Sequence, residues 1–415
     1  MSLPKVAVVG IHGHGGSHLR AVADLEDRGL ARLSAVVDPR EPDDAPASWF
    51  ASLGDLLSAD ADALPDVLVL ATPIHTHLPL ARAALDAGID VLLEKPTTAS
   101  LAEHAELVAV VERTGRLCQV GFQTFGSHAL PAVADMVARG EVGQVTGIGA
   151  VGTWVRTAAY WARSPWAGRR RMGDRAVVDG VVTNPLAHAV ATALWVGGAR
   201  TAADLAYVNT DLWRANPIEA DDTSSLRAVG TDGTRYGFGL TLCAAERTPA
   251  RVIVQGTEGE IELGYEHDLV RLRTGRVVAE KRYERTGLLE NLLRVRAGTG
   301  ERLLCDVRDT GAFMRVLEAV RTAPDPAPVD DAFVDWVDGV APVAGGPGGA
   351  GPGGPGGVGP GGVGPGGVGP GGVGQGNPEG DARHPVVHDV AAWCERAARE
   401  QRTFTELGAP WTLPR

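Results

Sequence analysis

"KVAVVGIHGHGGSHLRAV", residues 5–22, decides how the chain is read. The apolar run KVAVV leads into Gly10, glycines recur at 13, 15 and 16, and a helical pattern follows from Ser17. A strand, a glycine turn and a helix in this order put backbone N–H groups and a helix N-terminus where a pyrophosphate can sit. The second strand, "LSAVVD" (33–38), ends on Asp38, where a carboxylate grips the hydroxyls of an adenosine ribose. The stretch therefore predicts a dinucleotide site built on Gly10, His12, Gly13, Gly15 and Asp38. Its irregularity is His12, which occupies the place of the second glycine of G-x-G-x-x-G. Gly13 is the neighbour best able to restore a close approach of main chain to pyrophosphate.

Further along, "DVLVLAT" (66–72), "DVLLEK" (90–95) and "LCQVGF" (117–122) repeat the apolar-strand pattern, with helices between. Nearly continuous apolar strands separated by helices indicate a doubly wound parallel sheet covered on both faces, an α/β fold. The helix "PLARAALDAG" stops at Gly88, a C′ glycine, and Ser100 with Glu103 fits a capping box for the next. From about residue 145 short strands alternate with turns, as in an open, mainly antiparallel sheet, with helices at 184–198 and 309–323. The expected organisation is a cofactor domain over 1–123 and an α+β substrate domain over 124–341. A Gly/Pro segment with four PGGVG units follows at 342–380, and a C-terminal helix over 381–415 packs back on the body. The Gly/Pro segment has almost nothing to bury and reads as a disordered linker. Val387, Val390, Ala391, Cys394 and Ala398 fall at helical spacing after it.

A net charge of −12 disfavours nucleic acid as a main partner. No apolar run approaches the roughly 20 residues of a membrane span, and the N-terminus lacks a secretory pattern, so a cytoplasmic protein is expected. Cys118, Cys243, Cys305 and Cys394 are far apart and read as free buried thiols. His12, His14, His18, His75 and His77 raise the question of a metal, but no cysteine or carboxylate partner is evident at their spacing, and none is expected.

Thr72 and Pro73 end the third strand and Glu94-Lys95-Pro96 the fourth, at the carboxyl edge where doubly wound sheets bind ligands. A lysine there would sit beside nicotinamide and substrate. With "TPIHTH" (72–77), "EKP" (94–96), "VGFQ" (120–123), "GEVGQVTGI" (140–148) and "ALWVGG" (193–198), residues 4–325 resemble the Gfo/Idh/MocA family of nicotinamide-dependent oxidoreductases. The resemblance implies a Rossmann domain, an open-sheet domain, NAD or NADP as cofactor, and a sugar, inositol or related polyol as substrate. It also implies a homo-oligomer and adds His77, Glu94, Lys95 and Gln123 to the cofactor residues. Asp38 favours NAD, while Arg40 leaves NADP open.

In that family a D-x-x-x-H pair supplies acid/base chemistry. His188 falls on its histidine, but Asn184 replaces the aspartate and Leu186 the intervening glycine. Spaced one turn apart, Asn184 and His188 are expected to share a helix face, with Asp179 the carboxylate able to partner His188. The catalytic set is then Lys95, His188, Asn184 and Asp179. "TWVRTAAYWARSPWAGRRR" (153–171) offers aromatic faces and arginine forks to a substrate, or forms a solvated loop. "NPIEADDTSS" (216–225) reads first as a polar loop. A dehydrogenase leads; a cofactor-binding sensor on the same fold, or a lyase or hydrolase using transient oxidation, are the alternatives.

Overall fold

The computed structural model describes residues 3–339 and 381–413; the segment read as a linker, 342–380, lies outside the described residues. The strands β1 (Lys5–Val9), β2 (Arg32–Val37), β3 (Ser48–Phe50), β4 (Val67–Leu70), β5 (Asp90–Leu93) and β6 (Cys118–Val120) form one sheet. Its order is β3-β2-β1-β4-β5-β6, parallel throughout. Alternation along each strand divides its side chains between two covers. Val6, Val8, Val36, Val67 and Val69 face α1 (Gly15–Asp27). Ala7, Val9, Leu68, Leu70 and Val91 face the other layer, α2 (Leu53–Leu57), α3 (His77–Asp86) and α4 (Leu101–Thr114).

The α3 helix stops as its sequence requires: Gly88, at φ +81°, donates to Leu85 O, and Ile89 donates to Ala84 O. The capping box of α4 is half formed. Ser100 Oγ accepts from Glu103 N (3.2 Å), but the Glu103 carboxylate reaches Ala99 N (3.0 Å), one residue further back.

After α5 (Ala129–Ala138), β7 (Val145–Thr153) opens the second sheet, and α6 (Ala158–Ala162) and the small hairpin β8 (Arg171–Met172) and β9 (Arg175–Ala176) precede α7 (Ala187–Val196). The sheet is completed by β10 (Leu205–Arg214), β11 (Thr223–Gly230), β12 (Arg235–Thr241), β13 (Arg251–Gly256), β14 (Gly259–Gly264), β15 (Leu269–Thr274), β16 (Val277–Arg282) and β17 (Ala327–Pro328). In the order β16-β15-β14-β13-β7-β12-β11-β10-β17, only β7–β12 and β10–β17 pair in parallel. One face packs on α7 and α9 (Gly311–Thr322). The helix α8 (Leu288–Arg296), sequentially part of the second half, instead lays Leu288, Leu289, Leu292 and Leu293 on the first sheet beside α1.

The strands β18 (Val334–Val337) and β19 (His384–Val387) pair antiparallel and bring together the two ends that flank residues 340–380. The last long helix, α10 (Val390–Glu400), then packs on the free face of β7 and β12, ahead of the short α11 (Phe404–Leu407). Close approach needs glycine in the sheet: a Cβ at Gly239 would lie 2.1 Å from Cys394 O. The helical spacing is corrected in two places. Val387 belongs to β19, and Ala391 is exposed while Ala397 takes the buried position. All four cysteines are free and buried. No helix among the described residues is long and apolar enough to cross a membrane.

Candidate functional site

The glycine loop is shaped by contacts that exclude side chains. Gly10 has φ +81°, and a Cβ there would meet Ala71 O at 2.6 Å; one at Gly15 would meet Gly10 O at 1.8 Å. Gly13, at φ +65°, faces open space. No side chain caps the N-terminus of α1 and no acid occupies its first turn, so its partial positive charge stays available to an anion. Asp38 is buried at the end of β2 and closes the loop, accepting from Ile11 N (3.1 Å) and Arg40 N (3.0 Å).

The histidines part into three settings, and two of them meet a carboxylate that the sequence reading did not find. His12 turns toward the end of β2: its Nε2 accepts from Arg40 Nε (3.0 Å) and lies 3.6 Å from Asp38 Oδ1. His14 and His18 bond Glu94 Oε1 at 3.2 and 2.8 Å, so a carboxylate distant in sequence supplies the partner that local spacing did not reveal. Burial pushes the Glu94 carboxyl up, but the two histidine hydrogen bonds outweigh it and hold the group well below its ordinary range. His77 is a strut. Its Nδ1 faces Pro96 O (3.0 Å) and its Nε2 faces Thr72 O (2.9 Å), which ties together the two turns at the sheet edge and leaves neither nitrogen for a cofactor.

A cleft of about 490 Å³ runs between the two sheets. The loop residues His12, Gly13 and His14 and the turns Thr72-Pro73 and Glu94-Lys95-Pro96 form one side. Trp154, Arg156, Tyr160, Arg163, Trp166, Asp179 and Asn184 form the other. Lys95 Nζ crosses between them, donating to Asn184 Oδ1 (2.7 Å) and Asn184 O (3.0 Å). Because an ammonium can only donate, these bonds fix the amide, whose Nδ2 donates to Asp179 Oδ1 (2.5 Å). The other Asp179 oxygen accepts from Gly168 N (2.8 Å) and Arg163 Nη2 (3.2 Å). Burial lowers the Lys95 pKa, opposed in part by the negative charges of Glu94 and Asp179.

This corrects the expected acid/base pair. The helix α7 begins at Ala187, so Asn184 lies in the preceding turn and shares no helix face with His188. His188 is buried, lies edge-on to the Phe122 ring (5.6 Å between centroids), and is not among the cleft residues. Neither of its ring nitrogens has a hydrogen-bond partner among the described residues. Burial, followed by the charge of Lys95, pushes its pKa well down. Asp179 serves Asn184 and Arg163 instead. Gln123 also stands outside the cleft, its carbonyl accepting from Arg285 Nη1 (3.1 Å).

The 153–171 segment divides. Its first half lines the cleft, while Arg169 pairs with Glu219 and Arg170 donates to the carbonyls of Val320 and Ala323. The acidic loop is buried framework. Asp222 accepts from Ala215 N and Asn216 N, and Asp221 accepts from Ser224 Oγ (2.9 Å). Asp221 also presses on Gly180, where a Cβ would lie 1.8 Å from Oδ1, and so seats the turn that carries Asp179 and Asn184. That role had no sequence signal beyond two adjacent acids. A second, larger cleft of about 970 Å³ shares His75 and Val178 with the first, but it touches neither the glycine loop nor Lys95.

Residues 4–122 match the profile of a family described as "Oxidoreductase family, NAD-binding Rossmann fold". The uncharacterized oxidoreductase YdgJ of Escherichia coli is 30% identical over 141 residues, which cover 33% of this chain and 40% of that one. An inositol 2-dehydrogenase of Rhodococcus jostii is 33% identical over 147 residues, 34% of this chain and 39% of that one. These alignments span well under two thirds of either relative. The WlbA dehydrogenase of Bordetella pertussis, solved in complex with NADH and UDP-GlcNAcA, shares the fold with a TM-score of 0.63 at 20% identity, over 77% of this chain and 95% of that one. Residues 4–122, which hold the glycine loop, Asp38 and the Glu94-Lys95-Pro96 turn, thus match the NAD-binding Rossmann domain of this oxidoreductase family.

Proposed function

We propose that the chain is an NAD(P)-dependent dehydrogenase, with NAD preferred, acting on a hydroxyl-bearing carbon of a sugar, inositol or related polyol. The observation that carries this reading is the Lys95 ammonium, held in the cleft next to the glycine loop by the chain Lys95–Asn184–Asp179. The loop main chain, the N-terminus of α1, Asp38 and the Thr72-Pro73 turn are the groups that fit a dinucleotide. When bound, it supplies the two-electron redox chemistry. Lys95 supplies the proton chemistry: burial brings its pKa down toward the range where a neutral amine can accept a hydroxyl proton. The resulting ammonium donates to Asn184 Oδ1, and Asp179 behind the amide stabilises the positive charge. Trp154, Tyr160 and Trp166 line the wall opposite Lys95, with Arg156 and Arg163 stacked on their rings, so this wall offers a polyol guanidinium donors backed by aromatic surface. The similarity to an inositol 2-dehydrogenase supports the same substrate class.

His188 has no place in this scheme, and its isolation is the one observation favouring the alternative, a cofactor-binding sensor without turnover. A reaction driven by transient oxidation would use Lys95 equally well and would show as product formation without net NADH. We place the enzyme in the cytoplasm, supported by its free thiols, and read it as a homo-oligomer, supported by the exposed Val277 and Val278 of edge strand β16. The test is a spectrophotometric screen of NAD and NADP reduction against sugars, inositols and sugar acids. Reduction with at least one polyol is expected. Silence across the panel with cofactor binding intact would transfer the assignment to the sensor.

A further inference from the structure

We infer that the substrate carries a carboxylate and that Arg156 is the residue that receives it, an inference that rests on the dehydrogenase reading for its position opposite Lys95. Arg156 is 4% exposed, yet it lines the cleft. Its Nη1 donates to Val155 O (3.1 Å), the neutral Tyr160 hydroxyl is a further hydrogen-bonding neighbour, and its buried Nε has no hydrogen-bond partner. The guanidinium sits by two rings, 5.0 Å from the Trp154 centroid and 4.9 Å from that of Tyr160. Among the described residues no carboxylate lies within ion-pair distance of it. A guanidinium taken out of water without a counter-charge is costly, and buried charges are ordinarily paired.

The surroundings make the imbalance larger. Arg163 and Arg247 are its cationic neighbours, and both have acids of their own: Arg163 holds Asp179 (3.2 Å) and Arg247 holds Glu266 (2.5 Å). Across the cleft Glu94 is engaged by His14 and His18, and Asp179 by Asn184 and Arg163. No cleft acid is left for Arg156. A ligand anion would satisfy it. A guanidinium edge matches the two oxygens of a planar carboxylate with paired donors. A phosphate ester shares the oxyanion chemistry, and the phosphate arm of the test separates the two. Sugar acids and related hydroxy acids are therefore the substrate class, with the carboxylate at Arg156 and the reacting hydroxyl at Lys95.

The test uses the full chain with saturating NAD and matched pairs: D-glucuronate against D-glucose, D-galacturonate against D-galactose, with D-glucose 6-phosphate as the phosphate arm. One charge-assisted pair predicts a kcat/KM preference for the acid of roughly 10- to 100-fold. Arg156→Lys, which keeps charge but loses the fork, should cut that preference several-fold, and Arg156→Gln should bring it close to unity. Calorimetric titration of D-glucuronate into the NADH-loaded protein gives a readout independent of turnover. Equal kcat/KM for acids and neutral sugars overturns the inference, as does a preference for the phosphate ester. If nothing is turned over, saturable glucuronate binding that is lost in Arg156→Gln upholds the acid site while the dehydrogenase reading fails. Absence of such binding overturns the acid site. Should both variants fail to fold, the wild-type pairs decide alone.

Discussion

Replacing Lys95 with methionine separates chemistry from scaffold. The side chain keeps its length and loses the ammonium, so the proton acceptor is gone while the cleft stays filled. Removing a positioned general base costs about 10²- to 10⁴-fold in rate, or roughly 3–5 kcal/mol of barrier. Stability should change far less, because two effects oppose. Asn184 Oδ1 and Asn184 O lose their donor, at a cost of about 1–3 kcal/mol for buried acceptors left unmade. Against that, the folded-state pKa of Lys95 lies below its unfolded value. Below that folded pKa the buried ammonium therefore works against folding, and its removal gives stability back. We expect a net change within ~2 kcal/mol, a Tm shift of no more than about 3 °C in a chain of this size. The assay is NAD reduction at 340 nm with the best substrate of the panel, alongside NADH titration by fluorescence energy transfer from tryptophan. Wild-type turnover should rise with pH through the lowered Lys95 pKa in the oxidative direction, and the residual activity of Lys95→Met should lack that limb. Turnover near wild type in the variant refutes the reasoning; loss of NADH binding relocates Lys95 from chemistry to structure.

Three other outcomes follow from the same geometry. Burial pushes Asp221 up to about 6; a raised carboxyl pKa means stability is fully present below about pH 4 and is lost as pH rises to about 6, by about 3 kcal/mol. Denaturation curves of Asp221→Asn should therefore gain on wild type by that amount between pH 4 and 7, and parallel curves would refute the assignment. Asp38→Ala should weaken NAD binding about 10- to 100-fold, from two lost charge-assisted bonds. NADP binding, next to Arg40, should fall less in the same fluorescence titration. Gly239→Val places a side chain where Cys394 O and Cα of α10 now lie. Overpacking of this kind costs about 3 kcal/mol, and hydrogen exchange should show α10 opening before the rest of the sheet.

The cofactor half was legible because its signals are local. Strands that alternate between two apolar layers, a glycine turn and Asp38 all lie within the first 38 residues, and Lys95 ends a strand whose neighbours define the binding edge. What local reading missed was decided by tertiary contact. The strand β3 has three residues at a sheet edge, too few to show a period, and β16 is exposed along its whole length, so neither announces itself by burial. The apolar stripe of α8 predicts a helix without saying which sheet it covers. His14 and His18 looked partnerless because Glu94 arrives from the end of another strand. The helix face expected to be shared by Asn184 and His188 fails for the converse reason: the spacing fits one turn, while the helix starts three residues after Asn184.

The replacement of aspartate by Asn184 is better understood as a displacement of charge than as its loss. With Asp179 Oδ1 only 2.5 Å from Asn184 Nδ2, an aspartate at 184 would set two carboxylates against each other in a buried turn. Asparagine resolves this by accepting from Lys95 on one side and donating to Asp179 on the other, so the negative charge stands one residue further from the lysine. Lys95 then feels Asp179 across an amide instead of in direct contact, and burial is the larger influence, lowering its pKa against the charges of Glu94 and Asp179. Direct pairing would stabilise the ammonium and make the lysine a poorer base. On the proposed reading proton transfer falls to Lys95, and His188 stays buried behind Phe122 with neither ring nitrogen bonded among the described residues. The same turn hands Arg163 to Asp179 and leaves Arg156 without a carboxylate within ion-pair distance among the described residues, so one arrangement of acids bears on both proposals, Lys95 as base and Arg156 as anion receptor.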